Sequence, residues 1–206
     1  MGAIMVRTKF KRDLLTIPNT LTLMRIIAIP FLVWIIYLSP KDAPSQYHFW
    51  GPWLFTIIGF TDILDGYLAR KWNQTTVMGK LLDPLADKLL VTSMLIAFVD
   101  QGKVLGSVAI LLIARDFAMS GLRSIASSEN IIIQAKWFGK IKTMFQMIGL
   151  MFLLVQGNYV WHFGFASPMV DFNMLGNYAL YIAVVISYVG FIMYFKDFIK
   201  KSFPKD

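Results

Sequence analysis

Cysteine is absent from this chain, so disulfides and thiol chemistry are excluded outright. Histidine is nearly absent. His48 and His162 are the only two, both in stretches that read as loops, which leaves little with which to build a histidine-based zinc site. No internal repeat or low-complexity tract is visible. A cleavable signal core is missing as well: Arg7, Lys9, Lys11 and Arg12 precede an apolar run that contains Arg25 and is too long for a signal peptide, so the N-terminal segment is expected to be retained. Acidic side chains are the scarcer charge, 12 Asp and Glu against 20 Lys and Arg for a net charge of +8, and four of those 12 fall in one short stretch.

What the chain has in excess is apolar sequence. Hydrophobic residues make up 57% of it, mean hydropathy is +0.60, and they come in long runs instead of at helix or strand spacing. A length of 206 residues then suits an all-α integral membrane protein of six transmembrane helices, each of about 20 residues. The runs predict spans at about 19–38, 50–68, 81–99, 104–122, 140–155 and 175–195. The connections 39–49, 100–103 and 157–173 fall on one side of the membrane. The N-terminus, 70–80, 123–139 and 196–206 fall on the other. Of the 20 cations only Lys41 and Lys103 lie on the first side, so the positive-inside rule makes both termini cytoplasmic. Residues 1–18, where Phe10, Leu14 and Ile17 interleave with cations, read as a short amphipathic segment on an anionic leaflet, with a disordered basic tail as the other reading, followed by one membrane domain over 19–206. A pI near 9.7 does not signal nucleic acid here, because the cations are spread over membrane loops and form no soluble basic face. Trp50, Trp53, Tyr159 and Trp161 sit where an aromatic belt is expected.

The acidic stretch is the informative one. Asp62-Ile-Leu-Asp65-Gly66-Tyr-Leu-Ala69-Arg70 is followed by Gly79-Lys-Leu-Leu-Asp83-Pro-Leu-Ala-Asp87, inside or beside membrane-length runs. An ionised carboxylate in hydrocarbon costs roughly 2.5 kcal/mol or more, so four of them require cations, a water-filled cavity, or both. At about 100° per residue, Asp62, Asp65, Gly66 and Ala69 share one arc of the second span, and Asp83 and Asp87 share one face of the third. A short connection makes these helices neighbours, so the four carboxylates can converge at the cytoplasmic end. Oxygen donors without histidine or thiolate suit hard divalent ions, magnesium or manganese, and two ions would neutralise the cluster. Gly66, Ala69 and Gly79 either pack helices closely or, with Arg70, form a floor for a nucleotide whose phosphates rest on the ions.

The order Asp-x2-Asp-Gly-x2-Ala-Arg-x8-Gly-x3-Asp-x3-Asp resembles, at each fixed position, the signature of the CDP-alcohol phosphotransferases. That resemblance implies six helices, a homodimer, and transfer of a substituted phosphate from a CDP-linked donor to an alcohol with release of CMP. By position it makes Asp62, Asp65 and Asp83 metal ligands and Asp87 the base beside the incoming hydroxyl. A fourth metal ligand is the alternative role for Asp87, and the two are compatible. Ile17-Pro-Asn19-Thr-Leu-Thr22-Leu-Met-Arg25, Arg115-Asp116-Phe-Ala-Met-Ser120-Gly-Leu-Arg123 and Lys136-Trp-Phe-Gly-Lys140-Ile-Lys142-Thr143-Met-Phe-Gln146 resemble the phosphatidylglycerophosphate synthase branch. That branch implies CDP-diacylglycerol as donor, sn-glycerol 3-phosphate as acceptor, and a bacterial plasma membrane with the active site on its cytoplasmic side.

An acceptor with its own phosphate needs cations that the metals cannot spare. Arg115, Arg123, Lys140 and Lys142 gather at one level and are the candidates for that pocket. Positive-inside anchoring is the other reading for Arg123, Lys140 and Lys142, and a structural pair with Asp116 or another carboxylate the other for Arg115. Asn19, Thr22 and Arg25 recur every third residue and could line the nucleotide end of the cavity; capping by Asn19 and snorkelling by Arg25 compete with that. Two further function classes stay open. A related transferase would take inositol phosphate, serine or phosphatidylglycerol. A divalent-metal transporter is disfavoured because every motif carboxylate sits at one mouth while the outer halves of the spans are apolar.

Overall fold

The structure is a computed structural model that describes residues 16–38, 47–71, 77–129, 131, 133, 137–155, 158–160 and 169–202. At 17–18, 47–49, 62–70, 77–78, 80–81, 158–160 and 169 it describes the backbone alone. Its elements are α1 (Ile17–Leu38), α2 (Tyr47–Lys71), α3 (Val77–Asp100), α4 (Gly106–Ser128), α5 (Phe138–Val155), β1 (Asn158–Val160), β2 (Met169–Asp171) and α6 (Phe172–Ser202). Each of the six apolar runs is therefore a helix. The expected amphipathic segment at 1–18 falls almost wholly outside the described residues.

The differences lie at helix ends, because hydropathy reports where a run is apolar whereas a helix ends where its hydrogen bonding does. α2 begins at Tyr47, so His48, expected in a loop, is in its first turn. α6 starts earlier than expected because Asp171 caps it: the amides of Asn173 and Met174 donate to Asp171 Oδ1 at 2.8 and 3.1 Å. It also continues through Lys200 and Lys201, whose charges suit a helix C-terminus. α3 is closed by Gly102 at φ +70°; the Gly102 amide donates to Val99 O and that of Lys103 to Phe98 O, both at 2.9 Å. Asn177 Nδ2 then ties this turn to α6 by donating to Lys103 O at 2.9 Å. Within the expected loop 157–173, β1 and β2 pair antiparallel, Asn158 opposite Asp171 and Val160 opposite Met169. Three-residue strands are too short to register as alternation in a sequence.

The chain divides into two compact units, residues 1–97 and 98–206. In the first, α1 packs against α2. The buried stripe of α1 runs Asn19, Thr22, Arg25, Ile29, Leu32, Ile36, one residue per turn, polar over its first half and apolar over its second. In the second unit α6 packs on α5 and on α4. The buried stripe of α6 (Gly176, Ala179, Leu180, Ala183, Ser187, Gly190, Tyr194) is rich in small residues, as expected where membrane helices associate by close approach. At Gly176 a Cβ would stand 2.8 Å from Leu153 Cγ and 3.0 Å from the Gly149 carbonyl oxygen, so α5 and α6 touch backbone to backbone there.

Outward faces are apolar. On α1, Met24, Ile27, Phe31 and Trp34 are each more than half exposed, and on α6 so are Tyr178 and Val185. Water would not tolerate so much exposed apolar surface, whereas lipid requires it. Among the described residues, three helical stretches are long and apolar enough to cross a membrane: Asn19–Leu38, Phe138–Val155 and Phe172–Ser202. The other three helices carry the charged residues of the acidic stretch and of the Arg115 segment, which lower their hydropathy.

Candidate active site

In the first unit, the polar half of α1 meets the start of α3. Thr22, fully buried, donates through Oγ1 to Asp83 Oδ1 at 2.7 Å. One turn further along both helices, Arg25 Nη1 lies 3.5 Å from Asp87 Oδ1. The pairings 22 with 83 and 25 with 87 advance in the same direction, so α1 and α3 run parallel at this level. The Arg25 side chain is 1% exposed and that of Asp87 50%, so the arginine is locked inside the protein while the carboxylate faces outward. That excludes snorkelling, because a snorkelling head group would be exposed. Asn19 is buried on the same stripe, and Gly79 is buried near the start of α3.

Burying Thr22 and Arg25 is costly unless each has a partner, and the two aspartates are those partners. The arrangement orients Asp83 and Asp87 through one oxygen each, Oδ1 in both cases. Asp62, Asp65, Gly66, Ala69 and Arg70 are on the helical backbone of α2, and their side chains lie outside the described residues. Among the described residues no three carboxylate or imidazole side chains come together as a metal site. The placed carboxylates fit a hard divalent ion in their chemistry: oxygen donors only, one turn apart, each anchored by a second residue.

In the second unit a buried charge cluster centres on Asp116 of α4. Lys142 Nζ of α5 donates to Asp116 Oδ2 at 2.6 Å and Arg115 Nη1 to Asp116 Oδ1 at 3.1 Å. Arg115 Nε donates to the Ser187 carbonyl of α6 at 3.0 Å. Arg115 and Lys142 are buried, while the Asp116 side chain is 23% exposed. Beside them is a cavity lined by Arg115, Met119, Arg123, Phe138, Gly139, Gly190 and Tyr194. A Cβ on Gly190 would lie 3.0 Å from Phe138 Cβ and 3.7 Å from Arg115 Nη2, so a glycine there lets the start of α5 close on α6 beside the guanidinium.

The family comparison decides the class. The sequence profile described as CDP-alcohol phosphatidyltransferase matches residues 15–191. The chain belongs to that family. Among its relatives is the protein of Bacillus subtilis, 37% identical over 188 residues, which cover 87% of this chain and 93% of that one. The Haemophilus influenzae relative is 36% identical over 182 residues, 86% of this chain and 90% of its own. That of Rickettsia bellii is 33% identical over 180 residues, 87% and 93%. All three carry the name CDP-diacylglycerol–glycerol-3-phosphate 3-phosphatidyltransferase.

Within this family member, the structure brings Asp83 and Asp87 together with Thr22 and Arg25. Separately it places Arg115 and Arg123 on one cavity, with Lys142 joined to Arg115 through Asp116. Lys140 is exposed and takes no part in that cluster. Sequence reasoning named Asp116 only as a partner for Arg115 and missed that it also holds Lys142. A buried lysine on α5 calls for a countercharge, but its identity is not legible from the chain. The Ser187 carbonyl and Gly190 carry no motif at all.

Proposed function

We propose that this chain transfers the phosphatidyl group of CDP-diacylglycerol to sn-glycerol 3-phosphate, forming phosphatidylglycerophosphate and releasing CMP. The near full-length likeness to relatives named for that activity carries the reading. The acceptor hydroxyl oxygen forms a bond to the phosphatidyl phosphorus as the bond from that phosphorus to CMP breaks, and CMP leaves with the electron pair. Asp87, half exposed and steadied by Arg25, receives the hydroxyl proton. Asp62, Asp65 and Asp83, with Asp87, would hold two divalent ions, magnesium or manganese, which neutralise the pyrophosphate when bound. Asn19, Thr22, Arg25, Gly66, Ala69, Arg70 and Gly79, with Asp65, bind the donor. Arg115, Arg123, Lys140 and Lys142 bind the acceptor phosphate.

The same reading places all six helices across a bacterial plasma membrane, both termini and the site on the cytoplasmic side, with residues 1–18 on the surface ahead of a 19–206 membrane domain and two copies forming a homodimer. The test is purified protein in detergent with CDP-diacylglycerol and a panel of acceptors, following CMP. Glycerol 3-phosphate is expected to support release far better than inositol phosphate, serine, phosphatidylglycerol or unphosphorylated glycerol. A different preferred acceptor overturns the acceptor assignment, and absence of CMP release with every acceptor overturns the transfer reaction.

A further inference from the structure

Two cations, Arg115 and Lys142, are buried in the second unit, and one carboxylate serves both. Asp116 gives one oxygen to each, Oδ1 to Arg115 and Oδ2 to Lys142. Arg115 is pinned a second time, at Nε, by the Ser187 carbonyl. Gly190 lies one turn along α6 from Ser187, and a Cβ there would stand 3.7 Å from Arg115 Nη2. Of the guanidinium nitrogens only Nη2 has no acceptor among the described residues, and it faces Gly190, on the cavity that Arg115 shares with Arg123. The cluster of two cations and one anion keeps a net positive charge beside that cavity, as an anion site requires.

We propose that Asp116 is a positioning residue for the acceptor: by clamping Arg115 and Lys142 from the far side it presents Arg115 Nη2, beside Arg123, to the acceptor's phosphate. This rests on the transfer to a phosphorylated acceptor proposed above. Asp116 touches neither substrate, and its effect passes through Arg115 and Lys142. An arginine held at two of its nitrogens loses little freedom when a phosphate binds the third.

The experiment is two-substrate kinetics on the wild type, Asp116→Asn and Asp116→Glu, with thermal melting of each in detergent. Asp116→Asn keeps the size of the side chain, removes its charge and turns an amide N–H toward a cation. It is expected to raise the KM for glycerol 3-phosphate by about tenfold or more. The KM for CDP-diacylglycerol should stay within about twofold, since the donor contacts in the first unit are untouched. Asp116→Glu, which retains the carboxylate, is expected to recover part of the acceptor KM. An unchanged acceptor KM overturns the proposal. So does a lowered melting temperature with equal losses for both substrates, or failure of both variants to fold, since either assigns Asp116 to stability. The wild-type acceptor panel separates the two readings. Preference for inositol phosphate defeats the glycerol 3-phosphate assignment while leaving Asp116 testable on that phosphate; preference for serine defeats both.

Discussion

Replacing Thr22 by Val tests the anchored-carboxylate geometry with the least disturbance. The residue is fully buried, and valine matches its shape while deleting the hydroxyl that donates to Asp83 Oδ1 at 2.7 Å. A hydrogen bond to a charged group contributes about 1.5 to 3 kcal/mol, which corresponds to roughly tenfold to a hundredfold in an equilibrium constant. Losing a residue that orients a metal-binding side chain lowers metal affinity by a similar factor of about 10 to 100. The assay is CMP release as a function of magnesium or manganese at saturating substrates. The half-activating concentration is expected to rise by about tenfold to a hundredfold, with most of the maximal rate recovered at high metal, because the carboxylate is still present and only its orientation is lost. An activation curve that superimposes on the native one would refute the argument that Thr22 holds Asp83 for metal. A maximal rate that never recovers at any metal concentration would show instead that the loss of the Thr22 hydroxyl does more than misorient Asp83.

Asp87→Asn is expected to lower turnover on the order of a hundredfold or more while leaving CDP-diacylglycerol binding largely intact, as for loss of a general base; parallel loss of binding and turnover in a two-substrate series would make Asp87 chiefly a metal ligand. Excess chelator should abolish activity, and magnesium or manganese should restore it, since clustered carboxylates without cations repel one another; full turnover in chelator sinks the metal model. Gly176→Ala is expected to destabilise the protein by about 1 to 3 kcal/mol, because the added methyl meets Leu153 Cγ at 2.8 Å and the rigid Gly149 carbonyl at 3.0 Å. The check is thermal melting in detergent, where an unchanged midpoint would mean that α5 and α6 do not cross so closely.

The number and positions of the helices were legible because each apolar run satisfies its own backbone within itself, so composition alone locates it. The acidic stretch was legible for a similar reason: Asp83 and Asp87 are one turn apart on one helix, and local helical geometry places both on a single face. Periodicity also put Asn19, Thr22 and Arg25 on one stripe of α1, and that stripe is buried. What the periodicity could not supply was the partner of each face. Whether Arg25 ran to the surface or turned inward depended on the position of Asp87, 62 residues along the chain, and Thr22 finds Asp83 across 61.

The second cluster shows the same limit more sharply. Arg115 beside Asp116 is a sequence fact, but Lys142 reaches that aspartate across 26 residues and Ser187 gives its carbonyl to Arg115 across 72. Gly149 and Gly176 are ordinary glycines in sequence and become the closest approach of α5 and α6 only when those helices pack. The sequence by itself determined the helices, their apolar outer faces and the residues available for chemistry, because those follow from interactions within a few residues. Tertiary packing alone decided which buried charge answers which, because a buried cation is satisfied by whichever carboxylate or carbonyl the neighbouring helix brings within reach, and no local pattern specifies that neighbour.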